Sequence, residues 1–128
     1  MNKVIDFLIE SGVFYLATND NGKPDVRPMG IAIPYEEKIY FITAKPMNLN
    51  QQLQNDNKVS ISAYSNDKFL RLYGEATLDD SEATVNTFIN MDAKIAEMFP
   101  ADVIAPYYLT NVSGAICSFD ADPETFEF

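Results

Sequence analysis

Apolar positions along the chain repeat with two periods. In residues 3 to 10, Val4, Ile5, Leu8 and Ile9 fall at helical spacing and Gly12 follows as a stop, which predicts a short helix. The period then changes. F-Y-L-A-T predicts a strand, Asn19-Asp20-Asn21-Gly22 a turn, and residues 26 to about 33 a second strand. Pro28 has no N–H for a ladder, so that run belongs at an edge or carries a bulge. After the turn Y-E-E-K, the run K-I-Y-F-I-T is rich in β-branched and aromatic residues and predicts a third strand. Short turns join the three, which reads as an antiparallel meander.

The next segment is polar and helix-compatible from 47 to 54, with Leu49 and Leu53 as its buried stripe. K-V-S-I-S-A-Y alternates, with Val59, Ile61 and Ala63 on one face. In F-L-R-L-Y-G-E-A-T-L, Leu70, Leu72 and Gly74 oppose Phe69, Arg71 and Tyr73. Asp79 and Glu82 have capping-box spacing for a helix from about 81 to 90, followed by another from 93 to 99. Beyond Pro106, Y-Y-L-T and G-A-I-C-S-F predict a final strand or bent hairpin, and the last residues an extended tail. The pattern as a whole is mainly β with a few short helices. About six short antiparallel strands argue for a small barrel formed by one domain, residues 1–128.

Composition narrows the chemistry. The chain has no histidine and one cysteine, Cys117. A Ser-His-Asp or Cys-His device, a histidine-rich zinc site and an internal disulfide are therefore excluded, and no metal site is expected. The five glycines are isolated, so neither a G-x-G-x-x-G nor a P-loop motif occurs. Any enzymatic reaction would draw its reactive atoms from a cofactor. A net charge of −10 argues against nucleic acid as a partner, and no apolar run has the length of a membrane span. Asp6 and Glu10 interrupt what a signal peptide would keep apolar, and the expected location is cytoplasmic.

Against that acidic background, the segment from 26 to 53 stands out. Arg27, one of two arginines, lies in a strand-like run, and the next such run ends in Thr43 with Lys45 close behind. A guanidinium, a hydroxyl and an ammonium at strand ends suit a phosphate-bearing cofactor. Each also has a plain structural reading: Arg27 as a solvated strand residue, Thr43 as an ordinary strand end, Lys45 as a surface charge. Arg71 reads equally as a solvent or interface ion-pair residue, and Cys117 as a small buried hydrophobe.

The order F-Y-L-A-T, V-R-P-M-G, I-Y-F-I-T, a helix ending Q-Q-L, K-V-S-I-S-A-Y, L-R-L-Y-G-E-A and a closing G-A-I-C-S-F with E-T-F resembles the pyridoxamine 5′-phosphate oxidase-like flavoproteins. More narrowly, it is similar to their short, nitroimidazole-resistance-like members. The resemblance implies a six-stranded antiparallel FMN-binding split barrel, dimeric, with flavin in a groove at the subunit interface. It implies phosphate contacts from Arg27, Ile42, Thr43 and the adjoining Ala44, and apolar contact to the ring from Pro28, Met29 and Ile31. Where the family places cations after the Thr, this chain has Met47, Asn48 and Leu49. Lys45 or the amides of Asn48, Asn50 and Gln51 are the candidates to replace them. Arg71 and Tyr73 match a strand whose side chains approach the flavin or the partner subunit.

The activity implied is an FMN-dependent oxidoreductase passing electrons from a nicotinamide donor, NAD(P)H, to a small acceptor. The C-terminal Arg/His signature of the true pyridoxamine phosphate oxidases is missing, so that activity is not expected. A non-catalytic flavin or deazaflavin carrier or sensor, and an interaction dimer that has lost its ligand, are the alternatives.

Overall fold

Three two-residue turns organise the sheet. At Asn21-Gly22, Glu36-Glu37 and Asn66-Asp67 both central residues have positive φ, between 49° and 90°, the geometry whose twist matches that of paired strands. The computed structural model describes residues 1–128. In it each turn closes a hairpin: β1 (Phe14–Asp20) with β2 (Lys23–Met29), β3 (Ile33–Tyr35) with β4 (Lys38–Ala44), and β5 (Lys58–Ser65) with β6 (Lys68–Leu78). β7 (Ile104–Cys117) and β8 (Glu124–Glu127) complete an antiparallel sheet in the order β2-β1-β5-β6-β7-β4-β3, with β8 pairing β7.

The fold is the mainly β, antiparallel split barrel expected, with corrections to its strands. There are eight, not six. The run expected from 26 to about 33 ends at Met29 and restarts as β3, and the extended tail supplies β8. The first strands do not form a meander, because β4 pairs β7 and never meets β2. Turn chemistry specifies each hairpin, whereas the neighbour of a hairpin depends on which faces must be buried together. β2 lies at the sheet edge, where Pro28 is tolerated. β7 is one strand of 14 residues, not a bent hairpin, and begins before Pro106. Asn111, at φ 50°, forms a bulge where the register with β6 shifts between Tyr73 and Glu75.

Alternation decides the core. Phe14 and Leu16 of β1, Val59, Ile61 and Ala63 of β5, and Leu70 and Leu72 of β6 point into one cluster of 20 buried residues. β4 is buried on both faces, which is why its sequence does not alternate. Ile39 and Phe41 join the main core, while Tyr40 and Ile42 enter a second cluster with Val85, Phe88 and Ile95. That cluster underlies α3 (Glu82–Met91) and α4 (Ala93–Met98). The cap of α3 is Ser81, whose hydroxyl accepts the Thr84 N–H at 3.3 Å. Asp79 instead accepts from the hydroxyls of Thr84 at 2.9 Å and Tyr40 at 3.2 Å, tying α3 to β4.

α1 (Asn2–Ser11) ends at Gly12 with φ 75°, as its stop signal predicts. α2 (Asn48–Asn55) packs against β1 and β4 with Leu49 and Leu53 buried. Tyr107 of β7 pins α2 further: its hydroxyl donates to Asn50 Oδ1 and accepts from Gln54 Nε2 at 3.1 Å. No helix is long and apolar enough to cross a membrane.

Candidate functional site

Alternation along β2 turns Asp25, Arg27 and Met29 inward and leaves Val26 and Pro28 exposed. α2 meets this inner row with Leu49, Gln52 and Leu53, all buried. The result is a polar network inside an otherwise apolar contact. Arg27 Nη1 donates to the Leu16 carbonyl at 3.1 Å and to Thr18 Oγ1 at 2.8 Å. Its Nη2 donates to Asp25 Oδ2 and to Gln52 Oε1, each at 3.0 Å. Gln52 Nε2 donates to the same Asp25 oxygen at 3.0 Å, and the Thr18 hydroxyl donates to Gln52 Oε1. Four of the five donors of the guanidinium are thus directed to groups within the chain.

The hydrogen bond from Gln52, opposed by partial loss of water and aided by the Arg27 charge, holds the Asp25 carboxyl below the usual carboxylate range. A carboxylate with a lowered native pKa stabilises the fold above its unfolded value of about 4, and the contribution fades as pH falls through the native value. Asp25→Asn is therefore expected to make stability less sensitive to acid below about pH 4. Urea unfolding measured across that range checks this, and an unchanged pH profile would remove Asp25 from the role.

A second group of expected site residues gathers at the other end of α2. Pro28, Met29, Gly30 and Ile31 face Ile42, Thr43 and Leu49 across a pocket of about 140 Å³, closed on a third side by Met98 and Phe99. Thr43 is 3% exposed as a residue, and its hydroxyl, which has no hydrogen-bond partner in the chain, is not fully buried and borders the pocket. Beside it α2 begins at Met47, a residue that cannot cap. The Asn50 N–H turns back to the Met47 carbonyl at 3.1 Å, while the N–H groups of Asn48 and Leu49 find no acceptor in the chain. A free hydroxyl at the pocket wall next to open helix N–H groups is a place for an anionic oxygen.

The remaining expected residues are dispersed. Ala44 is buried, and its carbonyl accepts the Met47 N–H at 3.0 Å. Lys45 turns to Asp80, 3.8 Å away, in a separate depression that includes Glu82 and Asp102. The side chains of Asn48 and Gln51 are exposed on the solvent side of α2. Arg71 is exposed on the outer face of the sheet, its guanidinium 5.8 Å from the Tyr73 ring centre. So Pro28, Met29, Ile42 and Thr43 come together, whereas Arg27, Lys45 and Arg71 each stand elsewhere.

Sequence reasoning missed Thr18, Gln52, Met98 and Phe99. Gln52 left a trace, since a polar residue three positions after Leu49 lies on the apolar stripe and needs a buried partner. Met98 and Phe99 left none, because their place at the pocket follows from the packing of α4.

A family model described as pyridoxamine 5′-phosphate oxidase matches residues 2–110. Among solved structures, a NimC/NimA family protein from Clostridium acetobutylicum superposes with a TM-score of 0.95 at 34% identity, covering 100% of this chain and 92% of that one. General Stress Protein 26 from Bacillus anthracis follows with a TM-score of 0.77 at 14% identity, over 99% and 97% of the two chains. A pyridoxamine 5′-phosphate oxidase-related, FMN binding protein from Nostoc punctiforme gives 0.64 at 18% identity, over 97% and 90%. The last two likenesses show the fold alone. No protein of curated function matches the chain.

Proposed function

The chain belongs to the pyridoxamine 5′-phosphate oxidase family, and from that premise we propose that it binds FMN and serves as a flavin-dependent oxidoreductase. The observation that carries this reading is the unpartnered Thr43 hydroxyl at the pocket wall beside the uncapped start of α2. Those donors suit the flavin phosphate, and the apolar walls at Met29, Ile31 and Leu49 suit the ring system. When bound, FMN supplies a ring that takes up and releases electrons, here from NAD(P)H to a small acceptor. The chain's part is to hold the phosphate, orient the ring and keep water away. Arg27 holds α2 in place through Gln52, and by that route positions the N–H groups.

A pocket of about 140 Å³ is below the roughly 300 Å³ at which ligand sites begin. A second copy of the chain completes it in this proposal. The sheet's outer face offers Tyr15, Val26, Tyr64 and Tyr73, each between 46% and 61% exposed, to such a partner. Arg71 on that face would then reach a flavin only across the subunit boundary.

One observation favours a second reading, a flavin carrier without turnover. None of the nine residues lining the pocket is ionisable, so the chain places no general acid or base there. Steady oxidation of NAD(P)H by the FMN-loaded protein with an added acceptor separates the two readings.

Thr43→Val keeps the shape and removes the hydroxyl. It is expected to weaken FMN about 5- to 30-fold, or about 1–2 kcal/mol, with the ligand-free melting temperature unchanged. In wild-type protein, FMN at about 100 times Kd should add about 2.7 kcal/mol of stability. Purified protein that stays colourless and shows no thermal shift with FMN would sink the proposal.

A further inference from the structure

Tyr107 is 1% exposed and brings a hydroxyl into the main apolar core. Its ring stacks on Phe41 of the neighbouring strand, with 5.7 Å between centres and 9° between planes. From there the hydroxyl reaches α2, donating to Asn50 Oδ1 and accepting from Gln54 Nε2 at 3.1 Å. Asn50 and Gln54 are one helical turn apart, so a single hydroxyl fixes the rotation of α2 about its axis. Burial pushes this hydroxyl above its ordinary value and keeps it a donor at neutral pH. The nitrogen of the same Asn50 amide faces the turn that leads into the helix. Asn50 Nδ2 donates to the Lys45 carbonyl at 3.1 Å, and the Lys45 N–H donates to the Val103 carbonyl at 2.7 Å. Both backbone polar groups of Lys45 are thereby held. Thr43 stands two residues before Lys45, and the open N–H groups of Asn48 and Leu49 stand three and four residues after it.

Resting on the flavin reading above, we infer that Tyr107 and Asn50 are positioning residues for the flavin phosphate. Neither touches it; together they brace the turn from 44 to 47 and the start of α2 in the arrangement that receives it. The sequence offers the Asn50 amide as a replacement for a missing cation, but the fold commits its oxygen to Tyr107 and its nitrogen to Lys45. Backbone donors reward a phosphate only within a narrow range of distance and angle, so a loosened turn loses hydrogen bonds without losing the helix. The brace runs entirely inside one chain, from β7 through α2 to the end of β4.

Two variants of the full chain test the inference. Tyr107→Phe keeps the stack on Phe41 and removes the hydroxyl, and Asn50→Ala removes the amide from a half-buried position on α2. Each is titrated with FMN and with riboflavin, which differ by the phosphate, and binding is followed by quenching of flavin fluorescence. Each variant is expected to weaken FMN about 3- to 10-fold and to leave riboflavin within about twofold of wild type. The double variant should weaken FMN about as much as one single variant, because the two residues act along one path. Nitrogen-15 relaxation of the ligand-free proteins is the second measurement. The Asn48 and Leu49 amides should lose order on the ps–ns timescale in both variants, while Leu53 at the far end of α2 keeps it.

Riboflavin that weakens in step with FMN would overturn the inference and make the pair purely structural. Asn48 and Leu49 amides as ordered in the variants as in wild type would overturn it too, whatever riboflavin does. If FMN binds both variants as it binds wild type, the flavin reading stands and only the brace falls. If neither flavin binds the wild-type chain, the flavin reading itself fails and takes this inference with it.

Discussion

Gly114→Ala should cost at least about 3 kcal/mol and leave little folded protein at 37 °C. Gly114 of β7 sits opposite Leu72 of β6. A Cβ there would land on the carbonyl oxygen of Arg71, with Leu72 Cδ2 at 2.7 Å and Leu72 Cα at 3.0 Å. The side chain of Leu72 could rotate, but a ladder carbonyl moves only if the pairing of β6 and β7 opens. Gly74 is a useful contrast, since a Cβ there meets its nearest atom, the Thr110 carbonyl oxygen, at 3.1 Å. Gly74→Ala is expected to be the milder change. Urea unfolding of the two variants checks the order. Gly114→Ala within about 1 kcal/mol of wild type would show that the strands separate more easily than the packing implies. The effect reaches function as well, because β6 carries Arg71 and Tyr73 on the face proposed to meet a second copy.

Arg27→Ala is the second large effect, about 2–4 kcal/mol. Truncation leaves the Leu16 carbonyl, Thr18, Gln52 and Asp25 without their common donor. The side chain is 21% exposed, so water repairs part of the loss and the cost stays below that of a fully buried pair. Arg27→Lys should recover little, since one ammonium cannot span four acceptors in the plane of a guanidinium. Because Gln52 belongs to α2, FMN affinity is expected to fall together with stability. A variant that keeps its stability but loses FMN would make Arg27 a direct phosphate ligand, as the resemblance implies. A variant that loses stability and binds FMN normally would make the network purely structural. Chemical unfolding without ligand and an FMN titration on the same samples separate these outcomes.

Much of the local structure is legible along the chain. The turn at Asn21-Gly22 announces its hairpin, and the alternation of Val59, Ile61 and Ala63 assigns their face. Leu49 and Leu53 mark the buried side of α2. These signals are short-range: each depends on residues within a few positions, whose conformations and faces are coupled directly. The placement of Thr43 was partly legible too: a strand end followed by a helix start is a local pattern, and the structure puts Thr43 on the pocket wall beside the start of α2.

Charge assignment was less legible. The sequence favoured Arg27 over Lys45 as a phosphate contact, but each is paired within the fold, Arg27 with Asp25 and Lys45 with Asp80. Asp25 sits two residues from Arg27 and gave some warning. Gln52 and Leu16 lie 25 and 11 positions away from it, and Asp80 is 35 positions beyond Lys45. A side chain's partners across such separations are set by strand order.

By itself, then, the sequence determined the hairpins, the buried faces, the family and the absence of histidine-based chemistry. Only the tertiary structure decided that β4 runs beside β7, that Arg27 is spent on holding α2, and that Thr43 is left with a free hydroxyl at the pocket. The physical reason is one of range. Turns and alternation are local consequences of backbone geometry, whereas the pairing of a charge is decided by whichever distant acceptor the closed sheet brings within 3 to 4 Å.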